Sequence, residues 1–454
     1  MLHRKGAATL AACVALACTG IVRAEITGAA PEDGVVLRPT YFQDATTAPS
    51  TEPATAPSTA PAPTPPKPLM AGLDAMGIGK PLEDANITIG GYFDGGYTVS
   101  ANGDSAHVPL AGRVFDTKNN RFVLDQADLY IDRPVDYGKA ATNHTIDIGG
   151  HIEIDYGWDT GIIHSSGLFD NPATLGVGRG QYRSRTSPEN QFDVMQAYVD
   201  VALPVGTGLR IRAGKFVTLL GYEVINPTAN PFYSHTYLFG YAIPFTHTGV
   251  IGEYKLSDDL LLDGGITRGW NQSSKDNNGD PDFLGGITYT PQESDALKKW
   301  KFIANLSEGP QGNHDVSDWW TVVDLQAVYT ASTDWTFVIN ADYGDAPHAP
   351  GVLGAAQWYG VAGYADWTLN KYLTPNLRLE YYGDSKGFTL GTGTRESLYE
   401  ATLNVAIKPL PDDAIGSNLV IRPEVRYDYS EKSYFKSGTR HDQFTFGVDA
   451  YFTF

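Results

Sequence analysis

Glu223, His235 and His247 are the residues whose types and grouping first suggest chemistry in this chain. They fall in a segment that opens with the alternating run Leu209-Arg-Ile-Arg-Ala-Gly214. It passes through Gly221-Tyr-Glu-Val-Ile-Asn-Pro-Thr-Ala-Asn-Pro-Phe-Tyr-Ser-His-Thr-Tyr-Leu-Phe-Gly240 and resumes alternation at Thr248. A carboxylate and two imidazoles can exchange protons near neutral pH, and the Tyr and Phe rings could pack a substrate. Connections this long are usually either functional or disordered. By itself the segment reads as an enzyme's active-site loop; the elements that hold it must decide.

Other chemical signals are thin. Asp276-Asn-Asn-Gly-Asp-Pro-Asp282 has the acidic spacing of a calcium loop, but Pro281 stands where the tight turn needs Gly and Ile287 where a bidentate Glu is required. An exposed hairpin turn is expected there instead. The histidines lack metal-ligand spacing, and both cysteines, Cys13 and Cys18, lie near the N-terminus, so no metal and no cofactor is expected. Nucleophile elbows, P-loops and dinucleotide fingerprints do not occur in the sequence.

The positioning elements read as strands. In His144-Thr-Ile-Asp-Ile-Gly-Gly-His-Ile-Glu-Ile-Asp-Tyr-Gly-Trp-Asp159, Ile146, Ile148, Ile152, Ile154, Tyr156 and Trp158 share one face, while Asp147, His151, Glu153, Asp155 and Asp159 share the other. This is the pattern of a strand with oil on one side and water on the other. Similar runs start near Ile87, Phe122, Val194, Leu209, Thr248, Leu260, Phe283, Trp300, Thr321, Trp335, Tyr359, Leu377, Leu398, Leu419 and Phe444, giving about sixteen strands of about ten residues each. Short connections alternate with long ones, the latter at about 100–120, 158–191, 217–247, 271–282, 308–318, 344–357, 383–396 and 430–442. The fold class expected is all-β: a transmembrane antiparallel β-barrel with short turns at one rim and long loops at the other.

Tryptophan placement separates this reading from a soluble sandwich. All 8 tryptophans (Trp158, Trp270, Trp300, Trp319, Trp320, Trp335, Trp358, Trp367) fall at or near expected strand ends, most in the outward phase, as in an interfacial aromatic girdle. The last run places Phe444, Phe446, Val448, Ala450, Phe452 and Phe454 on one face. Its aromatic end resembles the insertion signal of outer-membrane barrels. The expected partners are therefore outer-membrane lipid and, through Phe454, the barrel-assembly machinery; a homo-oligomer is compatible with this layout.

The inward phase carries both signs: Asp147, Glu153 and Asp155; Arg210 and Arg212; Arg378 and Glu380; then Arg422, Glu424, Arg426 and Asp428. In a barrel of this size the interior is expected to be a water-filled channel, so these charges need no buried partner and line a polar conduit. Mixed signs leave ion selectivity open. Within this frame the segment at 217–247 becomes the third long loop. An inward fold would make Glu223, Asn226, Asn230, His235, Tyr237 and His247 candidate constriction residues; an ordered external cap is the alternative.

The N-terminal segment is organised differently. Arg4 and Lys5 precede the apolar run Gly6 to Val22, and Val22-Arg-Ala24 suits a signal peptidase, so residues 1–24 read as a signal peptide. Residues 25–85 read as a disordered Pro/Thr/Ala-rich periplasmic linker with one helical turn near Leu69 to Ala75, and residues 86–454 as the barrel. A net charge of -19 argues against nucleic acid as a partner.

From about Ile87 to Phe454 the chain resembles the outer-membrane beta-barrel porin family 2, the OmpL-like group. The matching stretches are Asn120-Arg-Phe-Val-Leu-Asp-Gln-Ala-Asp-Leu-Tyr-Ile-Asp-Arg-Pro-Val-Asp136, Gln196-Ala-Tyr-Val-Asp-Val-Ala-Leu-Pro-Val-Gly-Thr-Gly-Leu209, Gly214-Lys-Phe, Gly221-Tyr-Glu223, Phe232-Tyr-Ser-His235, Pro244-Phe-Thr-His-Thr-Gly249 and Thr267-Arg-Gly-Trp270. The resemblance implies a porin-type barrel in the bacterial outer membrane and brings no catalytic residues. Passive diffusion of small hydrophilic solutes or ions is the function expected. The alternatives are a structural or adhesive barrel without open-channel activity and an outer-membrane phospholipase; no outward Ser/His pair supports the last.

Overall fold

The computed structural model describes residues 67–102, 109–168 and 190–454. The signal peptide expected at 1–24 and the linker up to residue 66 lie outside the described residues. Sixteen strands follow one another: β1 Thr88–Ser100, β2 Arg121–Arg133, β3 Asp147–Gly157, β4 Gln191–Leu203, β5 Leu209–Val217, β6 Thr246–Lys255, β7 Leu260–Thr267 and β8 Asp282–Tyr289. The second half comprises β9 Trp300–Gly312, β10 Asp315–Thr330, β11 Trp335–Ala346, β12 Ala356–Trp367, β13 Leu373–Asp384, β14 Glu396–Ile407, β15 Leu419–Ser430 and β16 Asp442–Thr453. Each pairs antiparallel with its neighbours in sequence, and β16 pairs with β1 from Tyr92↔Thr453 to Ser100↔Thr445, closing the barrel.

Burial runs opposite to that of a soluble barrel. Around β3, Ile146, Ile148 and Ile152 are 61%, 59% and 55% exposed while Glu153 and Asp155 are 0% exposed. Apolar side chains thus face outward, where only lipid makes them favourable, and closure leaves no strand edge for lipid to meet. Two outward aromatic rows mark the rims. Trp300, Tyr329, Phe337, Trp335 and Trp367 contact one another at the short-turn end, and Tyr359, Tyr381, Tyr399 and Tyr429 at the long-loop end.

Four expectations need correction. First, the tryptophans are not mostly outward: Trp158, Trp270, Trp320 and Trp358 are buried, and the last three pack edge-to-face inside the barrel. The girdle is completed by tyrosines, whose hydroxyl suits an interface equally well. Second, 308–318 is not a loop, because β9 and β10 run on to Gly312 and Asp315, which pair. Third, the end of the segment read as linker is ordered. The helical turn expected near Leu69 to Ala75 is present as the helix Pro68–Ala75, with Pro68 preset at its first turn, but a second helix, Gly79–Asp84, follows it. Met70 is buried there, its sulfur accepting from the Ile89 amide at 3.4 Å. Fourth, the interior is not lined by water alone: Phe216, Phe232, Leu238, Phe239, Trp270 and Trp358 belong to one apolar cluster within it.

Candidate functional site

The connection from Val217 to Thr246 supplies much of that cluster. Its composition prevents a hairpin: Pro227, Pro231 and Pro244 lack the amide a ladder requires, and Gly221 sits at φ +89. It folds instead through a 3-10 turn at Pro227–Ala229 and a π-type turn at Leu238–Ala242. Asn226 sets the first turn by accepting from the Thr228 amide at 2.9 Å. Because such a chain has few internal backbone partners, it must find them elsewhere or in water.

The inward charges of β13–β15 supply them. Glu380 accepts from the amides of Tyr237 and Leu238, both at 2.7 Å, and Glu424 from those of Tyr233 at 3.1 Å and Ser234 at 3.3 Å. Arg378 donates to the Ser234 carbonyl at 2.6 Å, Arg426 to that of His235 at 2.6 Å, and Arg422 to that of Asn230 at 2.5 Å. Asn404 donates to the Pro231 carbonyl at 2.7 Å. The loop is therefore held against the inner wall through its backbone, as a strand would be through a ladder, but by side chains.

Charge is compensated around this contact. Arg378 lies 2.8 Å from Glu223 and 3.0 Å from Glu400, Arg426 2.8 Å from Asp428, and Arg422 pairs with Asp449. The expectation that inward charges need no buried partner is corrected. Arg210 is 2.8 Å from Glu253 and Arg212 2.7 Å from Asp200, all of them buried. The loops shield these groups from bulk water, so each charge requires a counter-charge or aligned hydrogen bonds. Asp147 is the exception, half-buried near the short-turn rim beside Arg133 at 2.9 Å.

Of the six loop candidates, Asn230 joins His235 at 3.2 Å and the Asn226 carbonyl at 3.3 Å, with Glu223 close enough to act on the His235 ring, while Tyr237 is held separately against Asp428 and His247 stands apart. Glu223 accepts from the Thr236 amide at 2.8 Å and Tyr364 hydroxyl at 3.3 Å, while Asn230 bridges Val224 and His235. Tyr237 donates to Asp428 at 2.6 Å. Burial holds the His235 imidazole down at about 4, opposed by the Glu223 carboxylate, so it is neutral at neutral pH. Asn226 is half-buried and acts as a turn cap, and His247 sits at the loop's neck, 3.1 Å from the Thr218 hydroxyl.

Sequence reasoning missed Trp358, whose indole donates to the Ala242 carbonyl at 3.0 Å, and Arg113 of the first long loop, which donates to Asp428 at 3.0 Å. It also missed Phe115, whose ring meets His235 edge-on at 4.7 Å. Trp358 shares its alternation phase with the inward Ala362 and Tyr364, a signal that could have assigned it to the interior.

No curated protein is detectably similar in sequence. Among solved structures, the outer-membrane channel DcaP of Acinetobacter baumannii superposes with a TM-score of 0.52 at 14% identity, covering 81% of this chain and 97% of that one. OprB of Pseudomonas putida gives a TM-score of 0.52 at 13% identity over 84% of this chain and 97% of its own. Salmonella typhi OmpF, solved with daunomycin, gives 0.50 at 13% identity over 82% and 99%. At these identities the likeness is one of fold, and it is to barrels of the bacterial outer membrane. Residues 86–454, from just before β1 to the last residue, match the family described as "Putative beta-barrel porin-2, OmpL-like", and the chain belongs to that family of outer-membrane porins.

Proposed function

We propose that this porin conducts small hydrophilic solutes or ions passively, without enzymatic activity, and that the 218–245 loop forms its constriction. The observation that carries this reading is the side-chain pinning of the loop inside the barrel by Arg378, Glu380, Arg422, Glu424 and Arg426. A segment so anchored defines the narrowest cross-section, and the groups on it control what passes. Glu223, Asn230, His235 and Tyr237 are the residues we assign to that role, with Asn226 shaping the turn and His247 holding the neck.

Single-channel recording in planar bilayers tests the assignment. Stepwise conductance is expected from the purified protein, and Glu223→Ala with His235→Ala should alter its size or its cation-to-anion ratio. Unchanged currents would remove the loop from the permeation path. A second reading, a structural barrel, draws on the burial of the same groups, since Tyr237 is 0% and Glu223 3% exposed. Lack of conductance at any voltage would favour it.

A further inference from the structure

The outward face of β12–β15 at the long-loop rim carries polar groups that neither the lumen nor closure of the barrel uses. Its tyrosines form a continuous row: ring centroids lie 6.2 Å apart for Tyr359 and Tyr381, 5.1 Å for Tyr381 and Tyr399, and 6.2 Å for Tyr399 and Tyr429. Below this row the same strands present Val361, Leu379 and Leu403, all exposed, to hydrocarbon. Gly383 sets the middle of the row, pairing with Tyr359 on β12 and with Ser397 on β14. A Cβ at Gly383 would stand 3.0 Å from both the Tyr359 ring and the Tyr381 hydroxyl, so the bare glycine lets the two phenols close over it. Their hydroxyls are hydrogen-bonded to each other.

Arg395 stands beside this pair. It immediately precedes β14, shares the outward phase of Ser397 and Tyr399, and is exposed. It lies close enough for its charge to act on the Tyr359 hydroxyl. Among the described residues it has no hydrogen-bond or ion-pair partner, whereas on the next hairpin Arg440 is 2.7 Å from Asp442. Two carboxylates of the rim are turned to other donors. Glu431, whose charge also reaches Tyr359, accepts from the Tyr399 hydroxyl at 3.3 Å, and Asp345 accepts from Gln357 at 3.1 Å. A guanidinium fork flanked by hydroxyls suits a phosphate, and tyrosine rings suit the boundary between headgroups and chains. A ligand that meets both, and continues onto the apolar strip below, has phosphate at one end and acyl chains at the other.

We propose that Arg395, Ser397 and the Tyr359–Tyr381 pair over Gly383 hold the phosphorylated headgroup of an outer-leaflet glycolipid. The long-loop rim of an outer-membrane barrel faces the cell exterior, so this is the leaflet that the row meets. The protein's net charge of -19 opposes a nonspecific hold on phosphate, and retention therefore depends on the local cation. Such a contact lies outside the channel and stands whether or not the barrel conducts.

Native mass spectrometry of the full chain in detergent tests it, with diphosphoryl lipid A as the probe. The wild type should retain the lipid, and Arg395→Gln should weaken retention about tenfold, the worth of one charge-assisted hydrogen bond. Gly383→Ala, which keeps every charge, should weaken it too by parting the two phenols. Lys371→Gln, at the opposite rim where Lys371 pairs with Asp412, should leave it unchanged. Lipid A stripped of both phosphates should be retained no better by the wild type than by Arg395→Gln. Equal retention of the diphosphoryl lipid by wild type and Arg395→Gln, or an equal loss in Lys371→Gln, would overturn the proposal. Displacement of the lipid by an equal concentration of inorganic phosphate would overturn it as well, since the site would then serve the free anion. Only variants that keep a compact band in unboiled dodecyl sulfate enter the comparison, so misfolding cannot imitate the expected loss.

Discussion

His235 carries the pH dependence of the pinned loop. Its imidazole is held at about 4 in the docked loop, chiefly by burial, against an ordinary value of 6.5. Above the ordinary value both docked and released loops hold it neutral, and docking is at full strength. As pH falls from 6.5 towards 4 the released loop binds a proton that the docked loop refuses, so docking weakens across that window. The facing groups set the balance: Glu223 favours the charged ring, while Arg378 and Arg422 oppose it. Conductance traces taken from pH 8 to pH 4 should change through this window in the wild type, and His235→Asn should remove that part of the change. At the same scale, Arg378→Met would leave Glu223 and Glu400 buried without their shared cation, a loss worth about 3–5 kcal/mol of docking. Chymotrypsin should then cut within 218–245 in the folded variant and not in the wild type; equal resistance would mean that the backbone contacts suffice without the ion pair.

At the scale of elements, the strands were legible and the loop's destination was not, for a physical reason. A strand between lipid and lumen writes its environment into period two, and every strand onset read from alternation lies within six residues of the observed one, the largest difference being Asp315 against Thr321. The loop is placed by contacts such as Glu380 with Tyr237, 143 residues apart, which leave no local period. The loop residues proposed for the constriction were nominated from their types, but their partners could not be. Trp358 failed for a different reason: its rim position suggested lipid although its alternation phase is inward, and Gly344, opposite it on β11, leaves the space its ring occupies. A Cβ on Gly344 would stand 1.9 Å from the Trp358 ring, against rigid aromatic atoms. Gly344→Ala should displace that ring, break its bond to the Ala242 carbonyl and loosen the π-type turn, at about 1–3 kcal/mol. Near-ultraviolet circular dichroism should lose the signal of the Trp270–Trp320–Trp358 cluster while far-ultraviolet strand content stays; an unchanged near-ultraviolet spectrum would mean that the cluster tolerates the methyl group.

For the whole molecule, closure is the property on which every smaller-scale feature depends. An open sheet in hydrocarbon would leave a row of amides and carbonyls unpaired, each costing several kcal/mol, so the barrel is stable only with all sixteen strands joined. Nine register pairs between β1 and β16 complete the ring. The same closure lets the interior hold buried charges, because the cylinder fixes the spacing of the β13–β15 side chains on which the loop docks. Detergent resistance should therefore be all-or-none. The wild type should migrate as a compact band in unboiled dodecyl sulfate and as a slower one after boiling. Removing residues 442–454 opens two edges at once and should abolish the compact band, whereas Arg378→Met, which perturbs only the lumen, should keep it. A compact band that survives loss of β16 would mean that β15 can pair with β1 directly, and that the barrel does not require the register observed.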